Sequence, residues 1–227
     1  RDFDALDEKL LKGCMDKVFS RFRDIDQSEA ILHAIRQEVE DTVKAFIQHD
    51  LNRLKHYKQA TDGRRVLRPY LIEYKIVDDD FSGGIAFKSR IDRIDLEYST
   101  DTGRPTGKFI IYDYKKKNVH GLDDLLKARD SQLPVYYSSL VDSLKEQLDL
   151  SHTDCMGLMY LGVEPSGSRH KVDGVIRREY KCELGQARKH YLLNKEMFDA
   201  VMDFCREMVK EAVLDIQRGR FHPPRIC

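Results

Sequence analysis

Residues 90–116, RIDRIDLEYSTDTGRPTGKFIIYDYKK, read as two strands joined by a turn. Both arms are rich in β-branched and aromatic residues, and TDTGRPTG between them has turn composition. Side chains alternate along a strand, so Asp113 and Lys115 point the same way as Phe109 and Ile111. In the preceding arm Asp92 and Ile94 share one face, and Arg93 and Asp95 share the other. Antiparallel pairing of the arms brings Asp92 toward Asp113. Two carboxylates that close repel each other unless a cation lies between them. All-oxygen donors suit a hard divalent ion such as Mg²⁺ or Mn²⁺. An ammonium two residues away can stabilise negative charge developing in a transition state. The plain alternative is a salt bridge at a solvated sheet edge, and a D-x-K on its own does not decide between the two.

Working outward, YLIEYKIV (70–77) supplies a further arm carrying Glu73, and with 84–99 and 108–116 it predicts an antiparallel meander. Upstream, residues 3–22 and 28–59 have helical spacing, with Ser28 as N-cap of the second helix. Downstream, 123–148 is helical, and Pro134 sets the main segment to begin near Asp130 or Ser131. CMGLMYLGV (155–163) reads as a buried strand, GVIRREYKC (174–182) as a more exposed one, and 186–218 as a long amphipathic helix. The order predicts an α/β fold: a mixed sheet with an antiparallel meander, flanked by helices. A helical segment over 1–60 is expected to pack on a core over 61–227.

The 227 residues carry no formal net charge, so attraction to nucleic acid has to come from local patches. Candidate patches are Arg64, Arg65 and Arg68; Lys115 to Lys117; and Lys127 with Arg129. No apolar run approaches the roughly 18–20 residues that cross a bilayer. Five cysteines without a C-x-x-C read as reduced thiols, which points to the cytoplasm. There is no Gly-rich nucleotide loop, nucleophile elbow or zinc spacing. A start at Arg1 without Met and a stop just after FHPP read as a fragment of a larger protein.

Taken together and in order, RIDRID (90–95), IIYDYK (110–115) and QLPVY (132–136) resemble the PD-(D/E)xK nuclease superfamily. The closer resemblance is to its RecB-like branch, and within it to the nuclease domain of AddB-type helicase–nuclease subunits. The resemblance implies a restriction-endonuclease-like core with Asp92 and Asp113 as metal ligands and Lys115 as the catalytic lysine. Glu73 matches the acidic residue of the family's first core strand. Gln132 and Tyr136, four apart on one helix face, would turn toward the site. Arg93 and Asp95 are expected to form a structural ion pair on the opposite face. The tail RGRFHPPRIC resembles the start of a cysteine motif holding a four-iron–four-sulfur (4Fe-4S) cluster, with Cys227 its first ligand and the set incomplete in this chain. Three positions depart from the family pattern. Ser89 replaces a glycine, Lys116 and Lys117 replace small residues, and Lys17 stands where an early-helix histidine is usual.

The implied activity is divalent-metal-dependent DNA hydrolysis, as an exonuclease in DNA repair or recombination alongside a helicase or nuclease partner subunit. Lys116, Lys117, Lys127 and Arg129 would contact DNA. Two other readings stay open: a catalytically silent nuclease fold serving as a DNA-binding or scaffold module, and a CRISPR-adaptation exonuclease of the same superfamily.

Overall fold

The three arms of the meander form, the first and third longer than their composition suggests: β1 spans Arg65–Ser82, β2 Ile85–Ser99 and β3 Pro105–Lys115. Each pairs antiparallel with the next. A computed structural model of the chain describes residues 5–22, 28–82, 85–116, 122–127, 131–148, 153–163, 172–184 and 192–220. The ends of β1 are charged and read as turn in isolation, but pairing with β2 overrides local propensity. Pro69, which cannot donate to a ladder, sits at a register shift on this edge strand.

After β3 the chain passes through α3 (Leu122–Leu126) and α4 (Gln132–Gln147) to β4 (Asp154–Gly162), which lies parallel to β3. β5 (Val172–Arg177) runs antiparallel to β4, and β6 (Leu192–Leu193) runs parallel to β5, completing a six-stranded mixed sheet in chain order. Gly174 holds φ +141° where a Cβ would stand 2.2 Å from the Leu158 carbonyl oxygen, so only glycine lets β5 approach β4 there.

One boundary agrees with expectation and two differ. The helical stretch 123–148 is two helices, and the second begins after Ser131, as Pro134 required. The strand expected over 174–182 to be exposed ends at Arg177. Its residues Gly174–Arg177 are buried beside β4, and the chain then turns into a short helix, α5 (Lys181–Leu184). The last helix, α6, starts at Lys195 and ends at Gln217, with Asn194 accepting from the Met197 N–H at 2.8 Å as its cap. Leu192 and Leu193 fit a helical stripe equally well, yet they extend beside Ile176 and Arg177.

Each sheet face buries its own apolar layer. On one, Ile94, Leu96, Phe109, Ile111, Leu158 and Tyr160 pack with α4 and α6 through Leu133, Leu140, Phe198 and Met202. On the other, Ile110, Tyr112, Met156 and Met159 pack with Tyr57 of α2 (Glu29–Ala60) and with Leu184. This is the helix–sheet–helix layering of a restriction-endonuclease-like α/β core with an N-terminal helical segment. Only the C-terminal half of α2 supplies that cover. Its N-terminal half runs on beside α1 (Glu8–Phe19), to which ion pairs Arg36–Asp16 and Lys44–Glu8 join it. No described helix is long and apolar enough to cross a membrane.

Strand alternation puts Arg93, Asp95 and Glu97 on the α2 face, where all three are buried. Buried charges need partners. Arg93 forks onto Asp95 at 2.6 and 2.8 Å and reaches Asp50 at 2.6 Å, while Arg53 donates to Asp50 and Asp95. Glu97 accepts from Tyr57, Arg65 and Thr106. Burial alone would raise the Asp50 carboxyl, but the charges of Arg53 and Arg93 outweigh it and hold the group below its ordinary value. The expected Arg93–Asp95 pair is therefore real, and it belongs to a network that fastens α2 to β2.

Candidate active site

The β2–β3 ladder ends where the carboxylates begin. Its last registered pair is Arg93 opposite Tyr112, and one step further stand Asp92 and Asp113. There the Asp92 Oδ2 accepts the Tyr114 N–H at 2.7 Å, taking a backbone carbonyl's place. On β1, Glu73 lies between Ile72, opposite Arg93, and Tyr74, opposite Ile91, so it falls opposite Asp92. The register thus lines up carboxylate-bearing positions on three adjacent strands.

Asp113 is 3% exposed and doubly held. Its Oδ1 accepts from Gln132 Nε2 at 2.7 Å, and its Oδ2 lies 2.7 Å from Lys115 Nζ. Lys115 Nζ also donates to Gln132 Oε1 at 2.7 Å, and Gln132 Nε2 donates to the Tyr136 hydroxyl at 2.6 Å. One amide thereby bridges the acid and the ammonium, because Gln132 opens α4 and a helix presents Tyr136 four residues later on the same face. The four-residue group Asp113, Lys115, Gln132 and Tyr136 is brought together as the sequence suggested. Tyr160, which sequence reasoning passed over, lies beneath it. Its buried ring centroid is 5.1 Å from Lys115 Nζ, and β3–β4 register sets it beside Asp113. Nothing in the stretch CMGLMYLGV marks this tyrosine; only the parallel register with β3 does.

Glu73 is opposite Asp92 but turned away from this group. Its exposed carboxylate pairs with Arg90 at 3.0 Å, and its backbone takes φ +53°, rare for a residue with a side chain. Asp92 and Asp113 offer hard oxygen donors from neighbouring strands, which fits a divalent cation of the Mg²⁺ or Mn²⁺ type. Among the described residues, no group of three or more His, Cys, Asp or Glu closes around one metal position. Glu73 would make a third donor only by leaving Arg90.

Of the predicted DNA contacts, Lys116 is exposed immediately after β3 and Lys127 is exposed after α3. Lys117, Arg129 and the cluster candidate Cys227 lie outside the described residues. The other basic cluster sits at the far end of β1 and is engaged locally. Arg64 meets Asp62 at 3.3 Å, Arg65 meets Glu97 at 2.8 Å, and Arg68 stacks over the Tyr98 ring. The thiols of Cys14 and Cys182 are exposed and those of Cys155 and Cys205 are buried; burial pushes Cys205 up to about 11.

No curated protein matches the chain. A family model described as the PD-(D/E)XK nuclease superfamily matches residues 2–226. With a carboxylate row, a lysine held between Asp113 and a helix-borne glutamine, and a match over nearly its whole length, the chain belongs to the PD-(D/E)XK nuclease superfamily.

Proposed function

We propose that this chain is a divalent-metal-dependent DNA nuclease domain that hydrolyses phosphodiester bonds. Its superfamily consists largely of metal-dependent nucleases, which makes nuclease activity the coarse expectation. The observation that carries the reading is the Lys115–Gln132–Asp113 bridge beside Asp92. A structural salt bridge at a sheet edge has no need of a half-buried glutamine spanning both partners.

In this reading Asp92 and Asp113 hold the cation, with Glu73 as the third donor. The bound ion supplies Lewis acidity toward the phosphodiester and a lowered pKa for water. Lys115 donates to the phosphate oxygen on which charge accumulates, and Gln132 fixes where the ammonium points. The Tyr136 hydroxyl holds the second amide hydrogen and so fixes the amide. Lys116, Lys117, Lys127 and Arg129 attract the phosphate backbone. The resemblance to AddB-type subunits supports exonuclease action in repair or recombination beside a helicase partner, and a 4Fe-4S cluster starting at Cys227 in a longer chain. One observation favours the silent-scaffold reading: Asp113 is sealed by Lys115 and Gln132 while Glu73 faces Arg90.

The test is cleavage of end-labelled single- and double-stranded DNA with Mg²⁺, Mn²⁺ or EDTA, comparing wild type with Asp113→Ala and Lys115→Ala. Metal-dependent cleavage abolished by both substitutions supports the nuclease, and the product ladder separates exo- from endonuclease action. A folded wild type that neither cleaves DNA nor binds Mn²⁺ by calorimetry leaves the scaffold reading standing.

A further inference from the structure

We infer that the outward face of the β1–β2 ribbon is a track for the DNA phosphate backbone, an inference that rests on the nuclease reading. β2 stops pairing with β3 at Arg93, but its pairing with β1 runs on to Ser82 opposite Ile85. The carboxylate row therefore continues into a two-stranded ribbon. One face of that ribbon, with Tyr74, Ile76, Phe87 and Ile91, packs into the apolar layer shared with α4 and α6. The other face is exposed and carries Lys75, Lys88 and Arg90.

These cations sit on adjacent same-face rungs. Lys75 is directly opposite Arg90, and Lys88 is opposite Val77 on the next. Like charges directly opposite each other weaken a strand pair, so the ribbon is less stable than the same ribbon with neutral rungs. Lys75 and Lys88 make no ion pair with a described residue that would offset this. The acids of this face stand at its ends, Glu73 beside the site and Asp79 near the tip. Arg90 meets Glu73, but the pair is exposed on both sides and such pairs contribute little, so an incoming phosphate can replace it. Arg90 is two residues from Asp92 on the same strand. A DNA chain held at the carboxylates and leaving along β2 meets Arg90 first, then Lys75 and Lys88. A polyanion is the occupant whose charge fits.

The experiment uses the full chain and fluorescein-labelled single- and double-stranded DNA, with anisotropy in EDTA across a KCl series. Wild type is compared with Lys75→Ala/Lys88→Ala and Lys75→Glu/Lys88→Glu, with folding checked by circular dichroism. Losing two phosphate contacts should flatten the slope of log K against log salt by about 1.8 for duplex or about 1.4 for single strands. Affinity should fall for the alanine pair and further for the glutamate pair, and KM should rise when metal is added and cleavage is followed. Wild-type affinity and slope in both variants overturn the track, as does a fall in kcat with neither changed, or a wild type that binds neither DNA form. If wild type binds DNA through this face but cleaves it with neither Mg²⁺ nor Mn²⁺, the nuclease reading fails and the track stands.

Discussion

The motif RIDRID contains Ile-Asp twice, and the two aspartates have opposite fates. Asp95 is wholly buried, faces α2, and is saturated by Arg93 and Arg53. Asp92, three residues earlier, is half-buried at the end of the β2–β3 ladder and accepts one backbone N–H. A carboxylate enclosed by guanidinium groups is committed to the fold, because its every oxygen is satisfied by groups that cannot leave. A carboxylate at the ladder's end, opposite a second acid, keeps an oxygen that no described group satisfies. What separates them is which layer of helices each face meets.

The largest expected effect tests the chemical side of that contrast. Lys115→Ala and Asp113→Asn should each lower kcat/KM by about 10²–10³-fold or more, the scale of losing one preorganised charge at a reacting phosphate. Asp92→Asn should fall in the same range while costing under about 1.5 kcal/mol of stability, since the amide oxygen can still accept the Tyr114 N–H and only the charge is lost. Paired urea melts and initial rates would show it. An Asp92 variant that unfolds instead would place Asp92 with Asp95, among the structural acids.

The structural side should behave in reverse. Asp95→Ala leaves Arg93 and Arg53 buried with Asp50 as their one remaining acid among the described residues, and breaking such a group costs about 3–5 kcal/mol. The melting midpoint should drop by about 6 °C or more for a chain of this size. Any activity lost should be recovered per folded molecule at lower temperature.

A smaller effect sharpens the same network through pH. The Asp50 carboxyl is held below its ordinary value in the folded chain, the pull of Arg53 and Arg93 exceeding the opposing effect of burial. The unfolded chain thus binds a proton before the folded one does. The stabilisation is fully present above the unfolded pKa and is lost as pH falls through the lower, folded one. Urea midpoints should be flat near neutrality and decline below about pH 4. Asp50→Asn should be less stable at neutral pH and show a shallower acid decline.

The opposite faces of the two aspartates were legible in sequence, because a period of two assigns faces whatever the strands pair with. Gln132 and Tyr136 were legible for the matching reason on a helix, four residues making one turn. Register across a crossover was not: Tyr160 meets Lys115 because β4 returns parallel to β3 after two helices, and no local pattern encodes that return. Nor could Arg65 be told from a DNA contact, since its partner Glu97 is 32 positions away and buried. Leu192 and Leu193 satisfied a helical stripe, and only Asn194 as cap and β5 as neighbour made them a strand.

Glu73 is the residue where sequence and geometry part most, and its backbone offers the finest test. The register places it opposite Asp92, yet φ +53° turns its carboxylate to Arg90. A left-handed conformation costs a residue with a Cβ about 1–2 kcal/mol, and such strain persists where the surroundings fix the backbone. Glu73→Gly relieves the strain and removes the acid, whereas Glu73→Gln keeps the strain and removes only the charge. If Glu73 leaves Arg90 to become a third metal donor, both variants should lose activity alike, while the glycine variant is about 1 kcal/mol more stable than the glutamine variant despite its freer unfolded chain. Calorimetric Mn²⁺ affinity should then fall in both. A glycine variant that keeps full activity and Mn²⁺ affinity would show that the Glu73 carboxylate is no metal donor, leaving the metal to Asp92 and Asp113.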